Sequence, residues 1–193
     1  MTLSAETIRE FVIAGHSDLE KVQTMLTAHP HLLHAAHYWA ENDPETALDA
    51  GAHMGNRAIV EYLLTQGAPL TFYAACMLGM SDTVHEYLDM APNLASRPGV
   101  HGISALFHAA MSGDIAIGNL LAGAGGVENK ALVSHALHGA VAFNQRFMVE
   151  WLIGHHPDDI NMPNFEKKTP LRVAVERGYS DVADLLRANG GSE

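Results

Sequence analysis

The sequence predicts an all-α fold in which pairs of short helices stack into a solenoid. The first observation behind this prediction is that residues 168–190 contain two apolar helical segments of about two turns each. Helices of this length are too short to persist alone in water. The other is a residue suited to a left-handed turn, usually glycine, that recurs upstream at an average interval of about 33 residues. Such a pair can bury its apolar side only against a neighbour like itself, so we expect a stack of pairs.

The last pair has the clearest helix boundaries. Thr169 is suited to cap the first helix, and Pro170 fits its first position, where a backbone N–H would be unpaired in any case. Gly178 can adopt the left-handed conformation that ends this helix. Ser180 begins the second helix, and Gly190 can close it. The apolar positions between these boundaries are Leu171, Val173, Ala174, Val175, Val182, Ala183, Leu185 and Leu186.

This stretch resembles an ankyrin repeat. The family pattern is Thr-Pro-Leu-His-x-Ala, then a glycine, then a second helix rich in Val and Leu that ends in glycine. Gly178 follows Thr169 at the spacing of the pattern, although Arg172 replaces the histidine. The matching residues are Thr169, Pro170, Leu171, Ala174, Gly178, Leu185, Leu186 and Gly190. The resemblance implies an ankyrin-type helix-pair solenoid, in a family that consists mostly of protein-binding scaffolds.

The mid-repeat residue recurs along nearly the whole chain. The anchors are Gly15, Gly55, Gly79, Gly113, Asn144 and Gly178, at steps of 40, 24, 34, 31 and 34 residues. Asparagine fits this series because it also tolerates the left-handed conformation. We expect about six repeats in a single domain of residues 1–193. Their approximate bounds are 4–38, 41–70, 71–98, 101–127, 130–162 and 165–193.

The links between repeats differ in length. The step of 24 between Gly55 and Gly79 leaves no room for the β-hairpin finger that usually projects between ankyrin repeats. Longer links remain at about 29–45, 90–103 and 156–169, and they contain prolines that cannot lie inside helices. We therefore expect short or missing β-hairpin fingers.

Composition limits the classes of partner. A net charge of −11 opposes binding to nucleic acid, since that affinity comes mainly from Lys and Arg. The chain has one cysteine, Cys76, which suits a reducing compartment. The first residues do not resemble a signal peptide, and no apolar run is long enough for a membrane helix. We expect a cytoplasmic protein with no nucleic-acid or membrane partner.

The candidate binding surface follows from the resemblance. In this family the first helices line a concave groove, and the two positions before the mid-repeat glycine tend to point into it. Here those positions carry several apolar side chains, and aromatic or histidine side chains lie six residues before the glycine in three repeats. Exposed apolar stripes often mark interaction sites. The predicted partner-binding residues are His53, Met54, Tyr73, Met77, Leu78, Phe107, Met111, Ser112, His138 and Phe143.

Two alternatives remain open for this surface. Irregular packing could bury several of these residues between repeats. The groove could also form an apolar small-molecule or catalytic pocket, lined by Tyr73, Met77, Phe107, His108, Met111 and His138. We expect a non-enzymatic interaction protein that binds a peptide, an amphipathic helix or a second copy of itself, with no cofactor and no catalytic residue.

Histidine is abundant, with 13 residues, and four of them form the run His29, His31, His34 and His37. Imidazole binds Zn, Ni and Cu. The run contains no Cys or carboxylate at a recognised metal-site spacing, so we assign no metal site to it. His108, Ser112 and Asp114 resemble a hydrolase triad only superficially, because no Gly-x-Ser-x-Gly turn surrounds Ser112.

Overall fold

The computed structural model describes residues 3–193, and its helices form six consecutive pairs. We call the first helix of each pair inner and the second outer. The pairs are α1 (Ala5–Gly15) with α2 (Leu19–Ala28), α3 (Ala47–His53) with α4 (Arg57–Thr65), α5 (Phe72–Leu78) with α6 (Ser81–Met90), α7 (Ala105–Ser112) with α8 (Ile115–Gly123), α9 (Lys130–Ala142) with α10 (Arg146–Gly154), and α11 (Pro170–Glu176) with α12 (Ser180–Ala188). The predicted all-α solenoid of about six repeats is confirmed.

Every inner helix begins at a Ser, Thr or Asn whose side-chain oxygen accepts a backbone N–H of the first turn. Thr46 and Asp49 form a reciprocal capping box at the start of α3. Such a cap satisfies a donor that the helix itself leaves unpaired. A capping side chain therefore marks the start of each inner helix, including those whose sequence lacks the Thr-Pro-Leu-His pattern.

The anchor residues act in two ways. Gly79 and Gly113 end α5 and α7 with a φ of 75°, and Asn144 takes the same left-handed role with a φ of 55°. Gly15 instead stays inside α1. A Cβ at this position would lie 2.7 Å from the carbonyl oxygen of Ala47, so glycine is needed there for the close approach of α1 to α3.

The links are as uneven as the sequence predicts. One β-hairpin, of β1 (Ala36–Ala40) and β2 (Asp43–Thr46), projects between the first two pairs. Its antiparallel register pairs His37 with Glu45. In the described chain the link from α4 to α5 contains no strand, and the link from α6 to α7 contains only the isolated bridge of Pro98 with Ser104. This third link, residues 91–104, also holds two 3₁₀ turns.

The stack curves toward its inner helices. Adjacent inner helices contact each other more extensively than adjacent outer helices do, and α3 also contacts α7 across α5. The inner helices therefore lie on the concave side. The buried apolar residues form two clusters, one through pairs three to six and the other mainly through pairs one to three. No helix among residues 3–193 combines the length and apolar character needed to cross a membrane.

Gly139→Ala tests the close contact between α7 and α9. Alanine is favoured over glycine in a helix by about 1 kcal/mol. A Cβ at position 139, however, would lie 2.9 Å from the Phe107 carbonyl oxygen, a backbone atom that cannot rotate away. We expect the strain to dominate and to lower the free energy of unfolding, measured in urea, by about 1–3 kcal/mol.

Gly154→Ala is the matched control. Gly154 ends α10, and no neighbouring group of the described chain lies within 4 Å of a Cβ built there. This variant should keep its stability or gain up to about 1 kcal/mol. Equal stabilisation by both changes would show that α7 and α9 have room to spare.

Candidate functional site

The residues predicted to bind a partner separate into buried and accessible sets on the concave side. Met77 and Met111 are only 3% and 5% exposed and belong to the second apolar cluster. The expectation that these two methionines are exposed in an open groove is therefore wrong. The reason is the curvature, which brings α3 and α7 into contact and closes the space between them.

The two histidines of the predicted pocket are also buried, and each is held by a backbone oxygen. His108 Nδ1 lies 2.8 Å from the Ser104 carbonyl, and His138 Nε2 lies 2.7 Å from the Met162 carbonyl. Since a carbonyl only accepts, both ring nitrogens donate. His138 thereby ties α9 to the link that precedes α11.

The predicted small-molecule pocket does not form from these residues. Phe107 stacks on His135 with ring centroids 4.7 Å apart, and the Tyr73 hydroxyl donates to the Arg97 carbonyl. Tyr73 and His108 border a crevice of about 10 Å³. Organic ligands occupy cavities of about 300–1,000 Å³, so this crevice is too small to hold one.

The accessible set lies at the ends of the inner helices. Met54 and Phe143 are 48% and 40% exposed, and Leu78, Phe107 and Ser112 are partly exposed. The Phe143 ring also lies directly against Gly55, in the space that a side chain at this position would fill. Curvature thus brings the end of α9 next to the end of α3, three pairs away.

Polar side chains bond neighbouring repeats together at the same helix ends. Arg57 donates to the Leu78 carbonyl at 2.9 Å, and Arg177 donates to the Ala142 carbonyl at 2.6 Å. Gln145 donates to the Met111 carbonyl at 3.0 Å. The last carbonyls of a helix have no partner within the helix, so these bonds cap one repeat with a side chain of a neighbouring repeat.

A cluster of histidines surrounds one buried carboxylate near the first hairpin. The side chain of Glu45 is 0% exposed, and its Oε1 lies 3.2 Å from His53 Nδ1. His16 Nε2 and His101 Nε2 lie 3.6 and 3.5 Å from the same oxygen. The other oxygen, Oε2, accepts the indole N–H of Trp39 at 2.6 Å. We call His16, Glu45, His53 and His101 the His–Glu cluster.

Burial shifts the pKa of two members of this cluster, Glu45 and His53. It raises the pKa of Glu45, an effect that the Trp39 hydrogen bond opposes. It also lowers the pKa of His53 to about 3, so the ring is neutral at pH 7. At the edge of the cluster, the backbone N–H of His101 bonds to Asp43 and lowers the pKa of that carboxyl.

No local sequence pattern indicates this cluster. His53 was predicted to lie on a partner-binding surface, and the histidines that are close together in sequence, His29 to His37, lie elsewhere. The His–Glu cluster instead combines the turn after α1, strand β2, the end of α3 and the third link. Among residues 3–193, the ligand group that comes together is His16, Glu45 and His53, and the run His29 to His37 does not form one.

The buried histidines predict a loss of stability in acid. Burial lowers the pKa of His108 to about 4, whereas an unfolded histidine has a pKa near 6.5. Between these values the unfolded chain binds more protons, so stability falls as pH decreases through this window. For His108 alone we expect a loss of about 3 kcal/mol between pH 7.5 and 4.5, measured by urea unfolding.

His108→Leu should flatten this part of the pH profile, because leucine has no group to protonate. The Ser104 carbonyl would still accept the backbone N–H groups of α7. The exposed His85 supplies the control: His85→Ala should keep the full pH dependence. A profile for His108→Leu as steep as that of the unaltered chain would refute the assignment.

Comparison with known proteins supports the fold from two directions. A family model described as ankyrin repeats (3 copies) matches residues 106–193. The crystal structure of the human ASB11 ankyrin repeat domain is 25% identical in sequence and superposes with a TM-score of 0.52. The match covers 75% of this chain and 69% of that domain's chain. No curated protein matches the chain in sequence. The six helix pairs and these matches show an ankyrin-repeat fold, and residues 106–193 match ankyrin repeats, which generally serve as protein–protein interaction modules.

Proposed function

We propose that this chain binds a partner protein through exposed apolar side chains at the ends of its inner helices. One large apolar residue lies within two residues of the end of the inner helix in five of the six pairs, and each is between 37% and 48% exposed. We call this row the apolar rim. It consists of Ile13, Met54, Met80, Phe143 and Val175.

The repetition of the rim is the observation that carries the proposal. A single exposed apolar residue is ordinary, but exposed apolar side chains that recur near the same helix end in successive repeats favour an interaction site. Methionine contributes two of the five positions, and its flexible thioether adapts to apolar partners of different shape. Of the residues predicted from sequence, Met54 and Phe143 are exposed, and the partly exposed ones are His53, Tyr73, Leu78, Phe107 and Ser112.

The buried members of the predicted set have a supporting role in this proposal. Met77 and Met111 fill the space beneath the rim and fix the ends of α5 and α7. His138 fixes α9 through the Met162 carbonyl. A rim on rigid helix ends loses little conformational entropy on binding.

Charge indicates the kind of partner. The chain has 22 acidic and 11 basic residues, a net charge of −11. Opposite charge accelerates encounter and excludes wrong partners. The partner that fits best is a protein segment, most simply an amphipathic helix, with an apolar face for the rim and Lys or Arg beside it. The same charge disfavours nucleic acid.

Met54→Glu combined with Phe143→Glu tests the rim. The two changes place charges where the partner's apolar face would lie, and we expect captured partners to be lost in quantitative pull-downs. A partner identified in this way should bind the variant at least about 10-fold more weakly by calorimetry, the effect of a central interface residue. Its affinity for the unaltered chain should fall as salt is raised.

Met90→Glu combined with Phe165→Glu is the matched control. Both residues are exposed apolar side chains, but Met90 ends an outer helix and Phe165 lies in the last link. Circular dichroism should show both double variants folded. A partner retained by the rim variant and lost by the control would reject the proposal, and concentration-dependent sedimentation of the chain alone would identify a second copy as the occupant.

A further inference from the structure

We infer that the His–Glu cluster is a binding site for a divalent transition-metal ion, with Zn²⁺ the ion that its ligands fit best. The inference is independent of the apolar rim. It rests on the position of protons around Glu45, on the distances within the cluster and on the residues that hold its histidines.

The hydrogen bonds outside the cluster fix where two ring protons lie. His16 Nδ1 lies 3.1 Å from the Val12 carbonyl, which can only accept, so this nitrogen carries the proton. His101 Nδ1 lies 2.6 Å from Asp43 Oδ2, and an ionised carboxylate also only accepts. In the neutral rings, Nε2 of both histidines therefore points a lone pair toward the cluster.

The Nε2 lone pairs of His16 and His101 face Glu45 Oε1, an oxygen that accepts no hydrogen bond from the described chain. Across residues 3–193, neither Glu45 Oε1 nor His53 Nδ1 has a hydrogen-bond partner, although both atoms are buried. Leaving a buried polar group unpaired is costly, and an unpaired buried charge more so. A cation between the ligand atoms of His16, Glu45 and His53 satisfies all three at once.

The distances favour a metal ion over a shared proton. A charge-assisted N–H···O bond is about 2.7–2.9 Å long, whereas Oε1 lies 3.5 Å from His101 Nε2 and 3.6 Å from His16 Nε2. In a tetrahedron with metal–ligand bonds of about 2.0–2.1 Å, the ligand atoms are about 3.3–3.4 Å apart. The three distances to Oε1, 3.2, 3.5 and 3.6 Å, lie around this value.

The surroundings resemble the outer shell of a metal site. Metal-binding histidines usually donate their second N–H to a carboxylate or a backbone carbonyl, which orients the ring. His101 does so to Asp43, and His16 does so to Val12. The Trp39 indole N–H holds the second oxygen of Glu45 in the same way. His101 keeps this position with a left-handed φ of 55°, an uncommon backbone conformation for a residue other than glycine.

The ligand types select the metal. Two imidazoles and one carboxylate whose ligand atoms lie within 4.8 Å of one another suit Zn²⁺, while Ca²⁺ and Mg²⁺ require more oxygen ligands. These three protein ligands leave the fourth tetrahedral position to a water molecule or to His101, whose Nε2 lies 3.5 Å from Glu45 Oε1. The ion would join the turn after α1, the hairpin and α3, beside the third link. The third link reaches the hairpin because no β-hairpin finger lies between the second and third pairs.

The test uses untagged, chelator-stripped protein, so that no added histidines compete. Titration with zinc chloride should give one ion per chain by elemental analysis and raise the melting temperature. Cobalt chloride should give the intense visible absorption of four-coordinate Co²⁺. Glu45→Gln and His53→Ala should each weaken zinc binding by at least about 100-fold, and Asp43→Asn, which removes only an orienting partner, by about 10–100-fold.

Two controls remove imidazoles elsewhere. His85→Ala and the triple change of His29, His31 and His34 to Ala should bind zinc as tightly as the unaltered chain. Equal binding by His53→Ala, loss of zinc in the triple variant, or a weak six-coordinate cobalt spectrum would each overturn the proposal. Because zinc binding is also measured on the unaltered chain, failure of a variant to fold does not decide the result.

Discussion

The close approach of the inner helices is the constraint on which the rest of the structure depends. Glycine provides the room at two of the contacts, Gly15 against Ala47 and Gly139 against Phe107, where a single added carbon would meet a backbone oxygen. The outer helices do not approach each other so extensively, so every repeat adds to the curvature. The curvature buries Met77 and Met111 and leaves the helix ends as the accessible apolar part of the concave side. Because protein interiors are close-packed, the geometry of these helix contacts determines which apolar side chains remain accessible on the concave side.

Sequence reasoning succeeded where the deciding forces are local. Helix starts follow from a capping side chain at Thr46 or Thr169, and helix ends follow from a residue that tolerates positive φ, including Asn144. The spacing of these signals was enough to predict the number of repeats and the uneven links. The low exposure of Met77 was not predictable in this way, because it depends on the distance between α3 and α7 in the folded stack. The partner of His138, the Met162 carbonyl, likewise lies in a link whose path no local pattern specifies.

The His–Glu cluster arises from an irregularity of the solenoid. A regular finger between the second and third pairs would separate the first hairpin from the third link. Here the link from α4 to α5 is a short turn, and His101 bonds to Asp43 across it. The cluster also adjoins the apolar rim, because His53 ends α3 and Met54 follows it directly. A group that neutralises the charge of Glu45 would therefore also hold the end of α3. That helix end carries Met54, one of the most exposed residues of the apolar rim.

The contact of Phe143 with Gly55 limits how this protein can change in length. Most solenoids tolerate the gain or loss of a repeat, since each unit touches only its neighbours. Here the second and fifth pairs touch each other, so a duplication or deletion between them would displace the Phe143 ring by the thickness of a whole repeat. The contact therefore fits only the present number of repeats between these two pairs. Variation in repeat number is then expected outside these two pairs, at the ends of the stack.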